Sequence, residues 1–595
     1  MLGLKTWLVL RQRWFFLAVV GLGVGLALPS LGVGFVADDY TFIARLEQPG
    51  PAQTFRLYEF ATGAAGQYAR LMSSHWAAFP WWVSSNFKVC FLRPLSSAAF
   101  ALDHALFGHA PLGYHVHCLL WYALLLVAVG LLLRRVCPPP VWQVAFVLFA
   151  LSSSHAESLA WISSRHMLVS SAPPLLGLLA LVHYRERRWR PGLGLGLLGM
   201  TVGLAGGEAA LSVACYWLAY EAFGGPPGVA TRQRRRNVAL TLGYMAAYLL
   251  LYKLLGYGVS GSAAYLDPIS APGAFGFALP GRLAMLLGEG LGGLSANLGF
   301  TTLPKTSMAV GSAFLLAVAL GLRSVWATLP AELQRALRWL SAGALLALLV
   351  NAGAFLGSRL LLIPGIALYV IIASLLVHGW PRLAARSATL ARRALWSVLL
   401  LVHVVVAPLG LLANTYWLAM LGRSTRAIDG SLDAHFQRHR SRAPRAPWVY
   451  VLAASDPFSG FYVASVRAVR APGTTAQWSI LSMARATYRI ERTAANAFVI
   501  DVEPGLLRSA FEGLMRGRGE ALAVGDERRV EGGVVTVRAV DAGRPTSLGF
   551  RLSQGSFDDD DVCVLVWRDG KLLPVELQLH QALRVPWSPG PTGLL

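Results

Sequence analysis

Residues 121–133 read WYALLLVAVGLLL, and residues 396–418 read WSVLLLVHVVVAPLGLLANTYWL. Runs of this kind limit what the chain can fold into more than any other feature. A helix needs roughly 18–20 mostly apolar residues to cross a bilayer, and a core formed in water would carry more polar punctuation. Charged residues make up 14% of the 595-residue chain, against about 25% in an ordinary soluble domain, and the mean hydropathy is +0.52. The expected class is an α-helical polytopic membrane protein with about 11–12 transmembrane helices.

The formal charge of +22 points first to nucleic acid, but its placement excludes that class. Basic residues gather in short loops between apolar runs: Arg134-Arg135, RERRWR at 185–190, RQRRR at 232–236, and arginines at 382, 386, 392 and 393. That is the signature of cytoplasmic loops, and such loops also attract anionic headgroups. The five cysteines are scattered and show no zinc or disulfide spacing. The N-terminal apolar run is long and lacks a small-residue cleavage site, so it reads as a retained first span.

With residues 1–13 inside, spans are expected at about 14–36, 111–133, 141–153, 166–183, 191–205, 208–223, 238–256, 338–356, 363–379 and 395–418. Segment 37–110 is the first extracytoplasmic loop. The Gly-rich stretch 281–299 could span, re-enter or lie in the interface. Loop parity favours incomplete crossing there, or a further short span. The transmembrane domain covers 1–420, a linker 421–440, and a β-rich extracytoplasmic domain 441–595. Its strand candidates are WVYVLAAS, GFYVASVRAV, GGVVTVRAV and DVCVLVWRDGKLLPVELQL, with RDGK as a hairpin turn. FDDDDV at 557–562 lacks spaced calcium ligands and reads as a solvated turn.

Ionisable groups beside a bilayer are costly and therefore functional candidates. On the expected outer face these are Asp38, Asp39, Arg93, Asp103, His104, His115, His155, Glu157, Arg165, Glu208 and Arg359. One of Asp38 and Asp39 can cap a helix starting at Tyr40, while the other, pointing the opposite way in extended chain, faces a cavity. Ser154 and Glu157 fit a capping box, and Arg165 reaches Glu157 only through intermediates. Asp103 and Arg93 fit a structural polar pair, and Glu208 a first-turn acid. Histidines in such places are more often structural than ligands. Arg359, an outward Arg against the positive-inside trend, suits phosphate.

The order of motifs resembles the membrane glycosyltransferases of the GT-C superfamily, and within it the bacterial relatives of the transmembrane-and-TPR protein O-mannosyltransferases. ADDY after the first span is followed by Arg93-Pro94-Leu95, Asp103, Phe107-Gly108 and Gly113-Tyr114-His115. His155, Glu157, Trp161, Ile162 and Arg165 are similar to the family's His-x-Glu-x-x-x-Trp-Ile-x-x-Arg segment; Glu208 is similar to its Lys-Glu helix opening; Arg359 and Pro364 are similar to its Arg-Tyr-Leu-Tyr-Leu-Pro segment. Gly207 stands where the family has Lys, and no TPR repeats follow.

The resemblance implies a multi-pass protein of the bacterial cytoplasmic membrane. It would transfer a sugar, with inversion, from a polyprenyl-phosphate donor to a protein, lipid or envelope-glycan acceptor on the periplasmic side. Asp38 or Asp39 would be the base, Arg359 and Arg93 would bind the donor phosphate, and Asp103, His115, His155, Glu157, Arg165 and Glu208 would bind substrate or support the site. A divalent cation, Mg or Mn, bridging Asp38 or Asp39 to phosphate is compatible with this chemistry. The competing readings are a transporter or flippase of lipid-linked sugars, and a non-catalytic envelope assembly protein.

Overall fold

The computed structural model describes residues 2–48, 51–74, 77–226, 228–301, 303–384, 389–442, 446–474, 477–517 and 519–593. Among these, seven helices have the length and composition to cross a membrane: Gln12–Gly32, Pro111–Val136, Ile162–Arg187, Thr231–Leu254, Pro304–Thr328, Ala331–Asn351 and Leu390–Arg438. The shorter apolar helices Val141–Ala150, Pro191–Gly206 and Gly365–Gly379 fill the bundle between them. Small residues let backbones approach where no water drives association. Gly177 lies against Gly196 and Gly199, and a Cβ at Gly199 would fall 2.5 Å from the Pro173 carbonyl.

The bundle has two chemically different ends. At one, Arg135 pairs with Glu186, Arg185 Nη2 reaches Glu221 at 2.7 Å, and Arg134 donates to Gln12. These groups close the helices Pro111–Val136 and His166–Arg187, where the sequence places its basic loops. Arg386 of the later basic loop lies outside the described residues. The candidate site residues collect at the other end.

The helix Pro272–Gly292 covers much of the ambiguous stretch. It packs along Pro304–Val325, with Gly281 beside Met308, Gly288 beside Gly311 and Gly292 beside Phe314. Their backbones meet where Gly311 faces Ala284 and Gly288 faces Ser307, and the two helices are joined through the short helix Ala296–Thr301. Pro272–Gly292 is not among the helices with the length and composition to cross a membrane, whereas Pro304–Val325 lies within one that is, Pro304–Thr328. This last helix is the further span that parity demands, and the sequence reading leaves it out. Residues 421–440 are helical, continuing Ala407–Ser431 into Asp433–Arg442.

The C-terminal region holds two sheets. One has the order Lys571–Pro574, Val562–Arg568, Trp448–Ala453, Gln477–Ile480, and its last three strands are parallel. The other is antiparallel, in the order Ala582–Val585, Thr487–Ala494, Ala497–Glu503, Arg544–Leu552, Gly533–Asp541, Glu527–Val530. The expected RDGK hairpin is present, with Asp569 and Gly570 both at positive φ, as a type I′ turn requires. GFYVASVRAV is not a strand but the helix Phe461–Arg470. Parallel neighbours Trp448–Ala453 and Gln477–Ile480 need a crossover between them, and Val463, Val466, Arg467 and Arg470 share one helical face.

The first loop and the C-terminal domain form one core. Trp81 and Trp82, at 0% and 1% exposure, cluster with Val451, Ile480, Met515 and Val535. Trp81 Nε1 donates to the Leu481 carbonyl at 2.9 Å and Arg516 Nη1 to the Trp82 carbonyl at 2.9 Å. Trp81→Ala is expected to cost about 3–5 kcal/mol, read as a lowered midpoint of thermal unfolding in detergent. An unchanged midpoint would show that loop and domain do not depend on one core.

Candidate active site

The first membrane helix, Leu2–Ala27, passes through a 3₁₀ turn, Leu28–Gly32, into an extended stretch that ends at Ala37 with φ 51°. A non-glycine residue there is strained. What holds it is Asp39, whose Oδ2 accepts from Val36 N–H at 2.9 Å and Oδ1 from Ser163 N–H at 2.7 Å. Asp39 is fully buried. The helix starts at Asp38 rather than Tyr40, and its N-cap Ala37 makes no side-chain cap bond. The capping role expected of one Asp is therefore replaced by a tie between two backbone turns. Because both residues sit in the first helical turn, they diverge by helical rotation and not by strand alternation.

Asp38 is half-buried and accepts from Tyr462 Oη at 3.0 Å. Burial pushes its carboxyl up to about 6, against the Tyr462 hydrogen bond and the Arg359 charge, which both pull it down. Burial likewise pushes Asp39 up to about 7, opposed by its backbone N–H donors.

Glu157 pairs with Arg359 at 2.5 Å and accepts from Asn297 Nδ2 at 2.6 Å. It makes no capping box, since Ser154 N–H donates to Ser152 Oγ at 3.3 Å. Asn297 lies on the short helix Ala296–Thr301, and Glu289, near the end of Pro272–Gly292, accepts from Ser358 Oγ at 2.8 Å and Ala296 N–H at 2.7 Å. The turn carrying Arg359 is thereby pinned on both sides. The Arg359 guanidinium lies 5.9 Å from the ring centroids of Trp161 and Phe355.

Arg93 pairs with Glu208, not with Asp103, through Nε at 2.8 Å, and stands 4.2 Å over Phe91 and 4.9 Å over Tyr58. Tyr252 Oη donates to the other Glu208 oxygen at 2.8 Å. Gly207, at φ 150°, brings this acid past the Arg93 side chain. Tyr265 lies between the two arginines' aromatic neighbours, its ring 5.8 Å from Phe91 and 6.1 Å from Phe355. The site end thus presents Asp38, Arg359, Glu157, Arg93 and Glu208 together.

The other candidates have partners of their own. Asp103 pairs with Arg165 at 2.5 Å, both 2% exposed, and with His117 Nδ1 at 2.7 Å. Arg165 therefore answers Asp103 and not Glu157. His115 Nε2 meets the Gly34 carbonyl at 3.0 Å, steadying the stretch before Ala37, and His155 Nδ1 meets Tyr122 Oη at 3.1 Å. His104 Nδ1 lies 3.2 Å from Tyr114 Oη.

Tyr462, Tyr265 and Asn297 carry no signal in the sequence. They are neutral residues hundreds of positions from their partners or inside a glycine-rich stretch. Tyr462 arrives on the helix Phe461–Arg470, docked by Arg467 Nε on Asp429 at 2.6 Å and Nη1 on Asp433 at 2.7 Å, and by Arg470 on Asp429.

Among the described residues no three of His, Cys, Asp and Glu converge as a protein-held metal requires. Asp39 spends both oxygens on backbone N–H groups, and Glu157 and Glu208 are paired with arginines, so Asp38 would be the carboxylate offered. This donor set does not fit a resident Mg or Mn ion.

No family model and no curated protein matches the chain. Among solved structures it is similar to the oligosaccharyltransferase AglB of Archaeoglobus fulgidus in complex with an inhibitory peptide and a dolichol-phosphate, at 13% identity and TM-score 0.35, covering 78% of this chain and 64% of that one. It is also similar to an Archaeoglobus fulgidus oligosaccharyltransferase tethered to an acceptor peptide, at 14% identity and TM-score 0.33, covering 76% and 63%. A third likeness is to the arabinofuranosyltransferase AftD from Mycobacteria, at 16% identity and TM-score 0.33, covering 92% and 40%. The matched part is under two thirds of each of those chains.

Asp103→Asn leaves Arg165 as a buried charge without its carboxylate, and is expected to cost about 3–5 kcal/mol. Asp38→Asn touches only a tyrosine hydroxyl and is expected to leave the melting temperature in detergent within a degree or two, equivalent to under about 0.5 kcal/mol. Equal destabilisation by the two would contradict the division between structural and site carboxylates.

Proposed function

We propose that this chain is an integral membrane glycosyltransferase that moves a sugar from a polyprenyl-phosphate donor to an acceptor on the non-cytoplasmic side of the membrane, with Asp38 as the base. The observation that carries the reading is a half-buried carboxylate, bonded to the Tyr462 hydroxyl and within the field of the Arg359 charge, at the bundle end opposite the basic loops. A lipid phosphate needs a cation at the membrane surface, and a base needs a pKa near the working pH.

In this reading Arg359 faces the donor phosphate. Glu157, itself held by Asn297, takes one N–H of its planar fork, and a guanidinium has five N–H donors in all. Arg93, anchored by Glu208, adds a second positive centre. The acceptor hydroxyl or amine gives its proton to Asp38 as its heteroatom bonds to the anomeric carbon. The bond from that carbon to the phosphate oxygen breaks, and polyprenyl phosphate leaves with the electron pair. Attack opposite the leaving group inverts the centre. The carboxylate also stabilises positive charge developing on the sugar, as in glycoside hydrolysis. Tyr462 favours the ionised form of Asp38 by donating to it.

Asp38→Asn is expected to lower transfer by about 10²–10⁴-fold in membranes or detergent supplied with a polyprenyl-phosphate sugar; full activity would remove Asp38 from the role. The base works as a carboxylate, so activity is expected to rise with pH through about 6 and be lost below it. Tyr462→Phe removes a bond that lowers that pKa, so the acid limb should move to higher pH. A pH profile that stays in place would show that Tyr462 does not act on Asp38.

A further inference from the structure

A cavity of about 890 Å³ lies where the C-terminal domain meets the membrane domain. One wall is Ala263 and Ala264, in the loop after the helix Thr231–Leu254, and Ala263 N–H donates to the Gly513 carbonyl at 2.8 Å. Beyond these and Thr301 the lining is formed by turns of the C-terminal domain and carries four arginines, Arg485, Arg508, Arg516 and Arg544, against one acid, Glu520. Glu520 is engaged by Ser84 Oγ. Arg516 is 5% exposed and fixed through Nη1 to the Trp82 carbonyl and through Nε to the Glu520 carbonyl at 2.8 Å. Arg508 and Arg544 are exposed at the mouth.

Like charges lining one concave surface repel, and the field they focus favours an anion inside. Nothing in the core demands this arrangement, because small residues such as Ala510, Ala542 and Gly543 make up much of the remaining wall. We propose that the cavity is a binding site for an oxyanion, carried on a carboxylate- or phosphate-bearing ligand, with Arg516 as its fixed guanidinium and Arg508 and Arg544 closing on the ligand from the mouth. Guanidinium forks match both groups in pairs of parallel hydrogen bonds. The site stands independently of the transferase reading. It also borders it, since Tyr265, next after Ala264, packs on Phe355, whose ring lies 5.9 Å from the Arg359 guanidinium.

The test is direct binding to the purified full chain in detergent, with two probes: trigalacturonate, an acidic saccharide, and dihexanoyl-phosphatidylglycerol, a soluble lipid with an anionic headgroup. Arg508→Gln combined with Arg544→Gln is expected to weaken binding by about tenfold or more, with an affinity that falls as salt is raised. Arg544→Glu should weaken it too, and neither variant should shift the melting temperature. Loss confined to the saccharide assigns a free acidic glycan as the source, and loss confined to the lipid assigns a headgroup. Failure of both probes to bind, or equal binding by wild type and double variant, overturns the site whatever the transferase assay shows.

Discussion

The end of this bundle opposite its basic loops is organised by the cost of keeping charge away from water. Each charged group there has been given an answer. Arg165 answers Asp103, Arg93 answers Glu208, Arg359 answers Glu157, and Arg467 answers Asp429. Asp39 is answered by two backbone N–H groups. A buried ion pair adds little net stability, but breaking one is expensive, so each pair locks the elements that bring its members together. Among the described residues Asp38 differs from these groups, because its hydrogen bond comes from a neutral hydroxyl. A carboxylate so held keeps its capacity to take up a proton.

The C-terminal domain belongs to this arrangement. Trp81 and Trp82 bury the first loop in its core, and the Arg467–Asp429 pair ties its helix to the last membrane helix. Thr41 Oγ1 donates to Ser465 Oγ at 3.2 Å, bringing the helices Asp38–Leu46 and Phe461–Arg470 face to face. Tyr462 is held from three directions before it meets Asp38. The strained backbone at Ala37 is sustained the same way, by Asp39 from within, His115 on Gly34, and Arg426 Nη1 on the Phe35 carbonyl at 3.1 Å.

The membrane class, the position of most spans, the β-rich C-terminal region and the gathering of ionisable residues at one end were legible because each depends on local composition. Partners were not. Arg93 was matched to Asp103, which is ten residues away, when its counterion is Glu208, and Glu157 read as a cap when it serves Arg359 across 202 positions. The span Pro304–Val325 was missed beside a glycine-rich stretch whose own helix, Pro272–Gly292, is similarly apolar. GFYVASVRAV alternates well enough to read as a strand, and only the parallel pairing of its neighbours makes it a helix.

By itself the sequence determined that this chain lives in a membrane, which end of the bundle carries the basic loops, and that Asp38 and Asp39 stand together where the first span ends. Those properties follow from transfer free energy and from bonds along the chain, which act locally. Which Asp is spent on the backbone and which is left beside Tyr462 and Arg359 was decided only by the tertiary structure. The donors that separate them, Ser163 N–H and Tyr462 Oη, come from 124 and 424 positions away, and hydrogen bonds of such range exist only once the bundle and its C-terminal domain have packed.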